Sequence, residues 1–498
     1  MEEVVEIPVD GVAVAAFIAY LLMIIGLGVY ASRFSSKGIS EFFVGGRKIN
    51  RFVVALSAVV SGRSAWLLLG VTGTAWAMGA AAVWTVVGYI IVELFLFLYY
   101  ARRLRSFSGA YDCVTIPDFF AERFKDKDGL LRIVLVAVLM IFMLGYVASQ
   151  FVAGGKTFAS SFQIEETTGI FLTAGIVLAY TVLGGFLAVS LTDMVQAIFM
   201  IVALVLLPVL VVTDQGGWNA VVAELSTIDP TLVDPTALSI GVFIGFVGIG
   251  LGVPGNPHIM ARYISISDSR DFRFACVVGT TWNVIMAWGA VFTGLVGRTV
   301  FPELDMIPAG DEENLYPFLA QEYLPSIIFG AVVASIFAAI MSTADSQLLV
   351  AASSVVRDVY EKIIKKGEQL PQKLLVLYSR LVVVLLVIGA LIFGMLAEQI
   401  VFELVLFAWA GLGASLGPTS ILALYWKRTT RAGVIAGMFS GAIVTIAWYY
   451  IPGLTDIIYE LIPGALVGTL ATVIVSLMTD PPEDTEEMFR AMREDSDQ

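Results

Sequence analysis

The sequence predicts an all-α polytopic membrane protein with about 13 transmembrane helices. Three observations carry that prediction. The first is composition: of 498 residues, 58% are hydrophobic and only 14% charged, with a mean hydropathy of +0.88. Soluble domains carry roughly 25% charged residues and could not bury so much apolar surface. The second is the recurrence of apolar windows long enough to cross a bilayer, which takes roughly 20 residues each. The third is charge placement, because Lys and Arg collect in alternate loops, as short cytoplasmic loops require.

The windows run over 9–32, 52–77, 80–101, 130–158, 167–187, 191–213, 237–260, 273–300, 326–356, 374–396, 400–425, 432–450 and 459–478. Basic residues fill the loops 33–51 (Arg33, Lys37, Arg47, Lys48, Arg51), 102–132, 262–273, 357–380 and 427–431. The intervening loops carry Glu165, Glu166, Asp214, Asp229, Asp305, Asp311, Glu312 and Glu313 instead. An odd number of spans then puts the N-terminus outside and the C-terminus in the cytoplasm, at a cell membrane. The start is acidic (Met1-Glu2-Glu3, Glu6), which favours a retained first helix over a cleaved signal peptide. The net charge of −13 arises in a few loops and in the acidic tail 481–498, read as a solvated end beyond a transmembrane domain over 1–480. It does not mark a cationic partner, and no basic stripe suggests nucleic acid. Segment 116–124 reads as a short amphipathic helix at the lipid interface. Cys113 and Cys276 fall near the predicted cytoplasmic face, so no disulfide is expected.

Two windows have the composition of broken helices. The second contains Ser61-Gly62-Arg63-Ser64-Ala65, and the seventh runs from Gly245 through Ile249, Gly252, Val253, Pro254, Gly255 and Asn256 to Pro257-His258. Membrane helices lose backbone hydrogen bonds only where the freed groups line a cavity or are buried in protein, and transporters unwind helices there to coordinate solute and ion. The two segments lie five spans apart, as two inverted halves (52–213 and 237–425) would place them. Arg63 is a cation at bilayer depth, costing at least ~2.5–3.5 kcal/mol without a partner, and is a functional-site candidate on that ground.

The ninth window supplies Ser342, Thr343 and Asp345. Adjacent hydroxyls add hard oxygen ligands suited to Na+, and the intramembrane carboxylate demands a partner. Asp345 sits roughly 200° round the helix from Thr343 but shares a face with Ser342. Arg63 could pair with Asp345 or reach the Ser342/Thr343 region as a tethered cation, or bind a solute carboxylate through its fork geometry. Lys156 and Asp193 sit near span ends and would snorkel. Glu93 has no evident partner, Glu403 reads as interfacial, and His258 lies near a cytoplasmic end.

These segments resemble the sodium/solute symporter family, most closely its sodium/proline symporter branch, from about residue 12 to 478. The resemblance is carried by Phe42-Phe43-Val44-Gly45-Gly46-Arg47, Ala55-Leu56-Ser57-Ala58 through Trp66-Leu67-Leu68-Leu69-Gly70, Thr115-Ile116-Pro117-Asp118, Gly184-Gly185-Phe186 through Gln196, Pro257-His258-Ile259-Met260-Ala261-Arg262 and Met341-Ser342-Thr343. It implies a LeuT-like core of two inverted five-helix repeats with alternating access. It also implies a sodium site made by the carbonyls of Val60, Arg63 and Ala339 with the hydroxyls of Ser342 and Thr343. Tyr146 matches a solute-site tyrosine, and Ser64 and Trp66 match positions beside the sites; Ile249, Val253 and Asn256 fall on the solute side of the second break. The chain departs from that branch at Gly62 (an aspartate there), at Arg63 (a methionine) and at Ile249 and Val253 (aromatic residues).

The function expected is secondary import of a small organic solute, an amino acid such as proline or an organic acid, coupled to a cation, Na+ first. The alternative is Na+-independent or proton-coupled transport in which Arg63 replaces the ion and Asp345 titrates. A transporter-like sensor is disfavoured, because only about twenty residues follow the last window. An enzyme is disfavoured by the lack of any nucleophile–His–acid set, metal motif or phosphate loop. No cofactor is expected.

Overall fold

The computed structural model describes residues 10–35, 38–366, 368, 370–396 and 401–493. The acidic start, Lys37 and the last five residues of the tail lie outside the described residues. Helices account for nearly all of the described chain. No strand occurs among those residues, only an isolated bridge between Ile49 and Ile266. Large apolar side chains such as Leu22, Ile91, Ile141, Leu385 and Leu477 are left exposed all round the bundle. A soluble protein could not tolerate that surface, and lipid tails cover it without cost.

Each predicted window contains helix, but the continuity differs from the expectation. Among the described residues, ten helices are long and apolar enough to cross a membrane, or eleven when the bent pair Ile240–Gly255 and Pro257–Ser265 counts as one. The count of thirteen is not reached on that measure. Two expected spans are represented by the shorter apolar helices Arg51–Ser61 and Glu166–Val182. The windows 52–77 and 80–101 also share the helical stretch Trp66–Ala110, interrupted at Gly79, whose φ of +62° only glycine adopts readily. A second interruption, at Gly185 (φ +58°), divides Glu166–Asp214 where windows five and six meet. A Cβ at Gly185 would press on the ring and backbone of Phe42, which accounts for glycine at that position.

The central element is the helix Ser326–Ser353, in which nearly every side chain from Phe329 onward is buried. It packs against Gly11–Ser35, Leu130–Phe162 and the Glu166–Asp214 stretch. An apolar helix buried on all sides belongs at the heart of a bundle, and this one brings Ser342, Thr343 and Asp345 to the centre.

Two segments expected at the surface are packed inside. The helix Ile116–Phe124 is capped by Thr115 Oγ1, which accepts from the Asp118 amide at 3.0 Å. It buries Phe119 and Phe120 completely instead of lying at the lipid interface. Asp118 accepts from Arg132 at 2.8 Å and from Arg357 at 3.4 Å. Burial would raise its carboxyl, but Arg132 and Arg357 outweigh that and hold it below the usual range. The tail is not wholly solvated either: the helix Thr485–Ala491 docks through Met488 and Phe489, with Met492 just beyond it also buried.

Candidate functional site

The helix Arg51–Ser61 starts cleanly, with Asn50 Oδ1 accepting from the Phe52 amide at 2.9 Å, and ends at Gly62. Beyond it Ser64 adopts φ +49°, a left-handed conformation rare for a non-glycine residue, and the chain re-enters a helix at Trp66 with a wide turn over Trp66–Gly70. The break interrupts the helical ladder, and side chains from other helices meet the exposed groups. The Ser61 carbonyl accepts from Thr343 Oγ1 at 3.1 Å and faces His258 Nε2 at 3.2 Å. The Gly62 carbonyl accepts from the Tyr89 hydroxyl at 3.2 Å. The Ala65 amide donates to Gln150 Oε1 at 3.1 Å, and the Trp66 amide to Ser64 Oγ at 3.1 Å. Gly62 is required by a close approach, since a Cβ there would overlap the Tyr89 hydroxyl.

The second break is bent by 51° between Ile240–Gly255 and Pro257–Ser265. Its freed carbonyls are met in the same manner, mostly by the helix Val401–Tyr425. Trp409 Nε1 donates to the Ile249 carbonyl at 2.8 Å, Ser420 Oγ to that of Pro254 at 3.0 Å, and Asn256 Nδ2 to that of Gly252 at 2.8 Å. Ile249 and Val253 are buried here, and Asn256 Oδ1 is buried without a partner.

The expected cation ligands are brought together only in part. Val60, Ala339, Ser342 and Thr343 are all fully buried. Thr343 reaches across to the broken helix, but its contact is the carbonyl of Ser61, which the sequence reading did not single out. Ser342 Oγ donates to the Ala339 carbonyl at 3.1 Å. The Val60 carbonyl accepts from the Arg63 amide at 3.0 Å, and the Arg63 carbonyl from the Leu67 amide at 3.2 Å. The contact that crosses between the two helices is thus the one from Thr343 to Ser61, while the carbonyls of Val60, Arg63 and Ala339 each accept within their own segment.

The side chain of Arg63 is elsewhere, and the expectation that it pairs with Asp345 or enters the Ser342/Thr343 region is corrected. Its Nε donates to Asn283 Oδ1 at 2.7 Å, and Nη2 donates to the same oxygen. Its guanidinium carbon lies 3.8 Å from the Tyr89 ring centroid. Asn283 Nδ2 in turn donates to Glu93 Oε2, so Glu93 is tied to Arg63 through Asn283. A signal for this existed: Glu93 and Asn283 are both polar groups in the middle of apolar windows, and such groups must find each other.

Asp345 belongs to a second cluster. Its Oδ2 accepts from the Tyr180 hydroxyl at 2.7 Å, and its Oδ1 lies 2.9 Å from Ser346 Oγ. Asp193, expected to snorkel, is instead fully buried. It accepts from Ser57 Oγ at 2.5 Å and pairs with Arg262 Nη2 at 3.2 Å. Arg262 also donates to Ser57 Oγ at 3.1 Å and to Ser346 Oγ. Five residues after Pro257, Arg262 reads in sequence as the first cation of a cytoplasmic loop, and this hid its role. Lys156, likewise expected to snorkel, donates at 2.7 Å to both Asp311 and Glu313. Glu313 accepts the amides of Val401 and Phe402 at 2.9 and 2.7 Å. Burial pushes its carboxyl up against the opposing pull of Lys156.

Of the residues expected to line the solute, Tyr146 is buried beside Ser64, with its ring 6.1 Å from His258 and 6.4 Å from Trp409. Trp409 stacks on Tyr89 at 5.6 Å, and Trp66 stacks on Phe402 at 5.9 Å. The aromatic box therefore joins both breaks, and sequence reasoning missed its members Tyr89 and Trp409.

The model of the sodium:solute symporter family matches residues 42–441. The osmoregulated proline transporter OpuE of Bacillus subtilis (strain 168) is 37% identical over 470 residues, covering 94% of each chain. A sodium/proline symporter of Staphylococcus aureus (strain JH9) is 37% identical over 479 residues, covering 93% of this chain and 92% of that one. Among solved structures, a Na+-coupled sialic acid symporter in a substrate-bound outward-open state superposes with a TM-score of 0.82 at 18% identity, over 95% of this chain and 98% of that one. That likeness gives the fold, an all-helical LeuT-like transporter bundle. The chain is therefore a multi-pass secondary transporter, not an enzyme, and belongs to the sodium:solute symporter family.

Proposed function

We propose that this transporter imports a small carboxylate-bearing solute, an amino acid such as proline first, together with Na+. The observation that carries the reading is the contact of Thr343 Oγ1 with the Ser61 carbonyl at 3.1 Å. It joins the central helix to the first break, and on this reading Na+ draws its ligands from the oxygens of Val60, Arg63, Ala339, Ser342 and Thr343 on either side of that contact. Na+ entering there displaces the weak internal hydrogen bonds of the two hydroxyls and replaces them with ion–oxygen contacts. The solute lies on the far side of the break, against Ser64, Trp66 and Tyr146 and near Ile249, Val253 and Asn256.

The coupling follows from geography. Ion and solute share one unwound segment, so filling either biases the same element, and each raises the affinity of the other. The halves 52–213 and 237–425 then rock as inverted repeats about the two breaks. The loop charges support a cytoplasmic C-terminus and an external N-terminus. The names of the two proline-transporting relatives support proline as the first solute to test. The reading in which Arg63 replaces sodium has no geometric support, because its guanidinium is held by Asn283 and Tyr89. Uptake of labelled proline into proteoliposomes, with Na+ or K+ outside, tests the proposal: accumulation only with inward Na+ is expected, and equal accumulation in K+ would reject it.

A further inference from the structure

Arg63 is fully buried, yet its Nη1 has no hydrogen-bond partner, although Nε and Nη2 are both spent on Asn283. One remove away, Glu93 Oε1 is also buried and unpartnered, while Oε2 accepts from Asn283. Leaving a charged donor desolvated without an acceptor costs more than leaving a neutral one. The arrangement therefore expects an acceptor at Nη1 that the chain does not supply. The surroundings say where it comes from. Arg63 lies over Tyr89, Tyr89 stacks on Trp409, and Trp409 approaches Tyr146 beside Ser64. Arg63 thus lies against the aromatic box that joins the two breaks, and Asn283, itself held by Glu93, fixes its guanidinium there.

The geometry points to Arg63 Nη1 as the receptor for the carboxylate of the transported solute, with Asn283 and Glu93 as the residues that position it. This rests on the reading of the chain as a Na+-coupled importer of a small organic solute, and it names the group by which that solute is recognised. A charge-assisted bond to a buried guanidinium is strong and selective, and a site built around an unpaired donor rejects analogues that cannot accept. Glu93, tied to Arg63 through Asn283, offsets its charge before the solute arrives, so an amino acid, whose ammonium accompanies its carboxylate, leaves the site neutral and a dianion does not.

Binding separates this inference from the transport reading. The purified full chain, in NaCl, is titrated with L-proline and cyclopentanecarboxylate and with their amides, prolinamide and cyclopentanecarboxamide, following thermal stabilisation. At least one carboxylate is expected to bind ten-fold or more tightly than its amide. In Arg63→Met/Glu93→Gln, a pair chosen to leave no buried charge uncompensated, carboxylate affinity falls roughly 10–100-fold and the preference over the amide disappears. Arg63→Lys, which keeps the charge, retains part of the preference and guards against a merely misfolded double variant. A wild type that binds no carboxylate, or does not prefer it to the amide, overturns the inference, as does an undiminished preference in the double variant. Loss of Na+-driven uptake with this binding pattern intact would overturn the transport reading alone.

Discussion

Ser342 and Thr343 occupy one turn of the central helix but make different contacts. Thr343 crosses to the Ser61 carbonyl, while Ser342 turns back on the Ala339 carbonyl of its own helix. Both hydroxyls are expected to become sodium ligands. Ser342→Ala and Thr343→Ala should each raise the Na+ concentration for half-maximal uptake roughly ten-fold, the scale of one lost polar contact of ~1.4 kcal/mol. A Na+ titration of uptake reads this directly, and an unchanged midpoint in both variants would remove these residues from the ion site. Gly62 makes a second residue-scale prediction. Gly62→Ala should abolish uptake because its Cβ overlaps the Tyr89 hydroxyl. Adding Tyr89→Phe removes that oxygen and should restore part of the activity. The address of this break was legible in the sequence from its small residues. The partner of Arg63 was harder to read: Asn283 stands out as a polar group in an apolar window, but it lies 220 residues away and nothing in the order of the sequence pairs the two.

Among the elements, the half-helices on one side of the breaks are tied to the bundle by a charge. Arg262, on Pro257–Ser265, reaches Asp193 on the stretch that follows Gly185 and Ser57 on Arg51–Ser61. Each of these groups is almost wholly buried. Removing one partner of such a pair strands the other, at a cost of ~3–5 kcal/mol. Arg262→Ala is expected to lower the thermal unfolding midpoint more than Arg262→Ala/Asp193→Ala does; additive losses in the two single variants would argue against the pairing. The docked tail helix offers a contrast. The Lys427–Glu486 pair is 45% and 77% exposed and contributes ~0–1 kcal/mol. Phe489 is buried against Arg123, 5.2 Å from its ring centroid. Phe489→Ala should therefore destabilise by ~3–5 kcal/mol in thermal unfolding, whereas Glu486→Ala should be nearly silent. Sequence composition gave the tail its acids and concealed this helix, since three apolar residues among so many charges form no visible pattern.

For the whole molecule, apolar windows and alternating loop charge were enough to read a polytopic bundle, and motif resemblance was enough to read its family. The span count was less legible, because Gly79 and Gly185 break continuous apolar runs while Gly62 shortens a span into half-helices. The central claim is that the first break and the central helix form the sodium site that energises solute uptake. It is tested most directly by proline accumulation in proteoliposomes under an imposed Na+ gradient, comparing wild type with Ser342→Ala/Thr343→Ala. The account predicts concentrative, Na+-dependent uptake in the wild type and loss of Na+-driven accumulation in the variant. Accumulation that persists unchanged in the variant, or that ignores the Na+ gradient in the wild type, would contradict it.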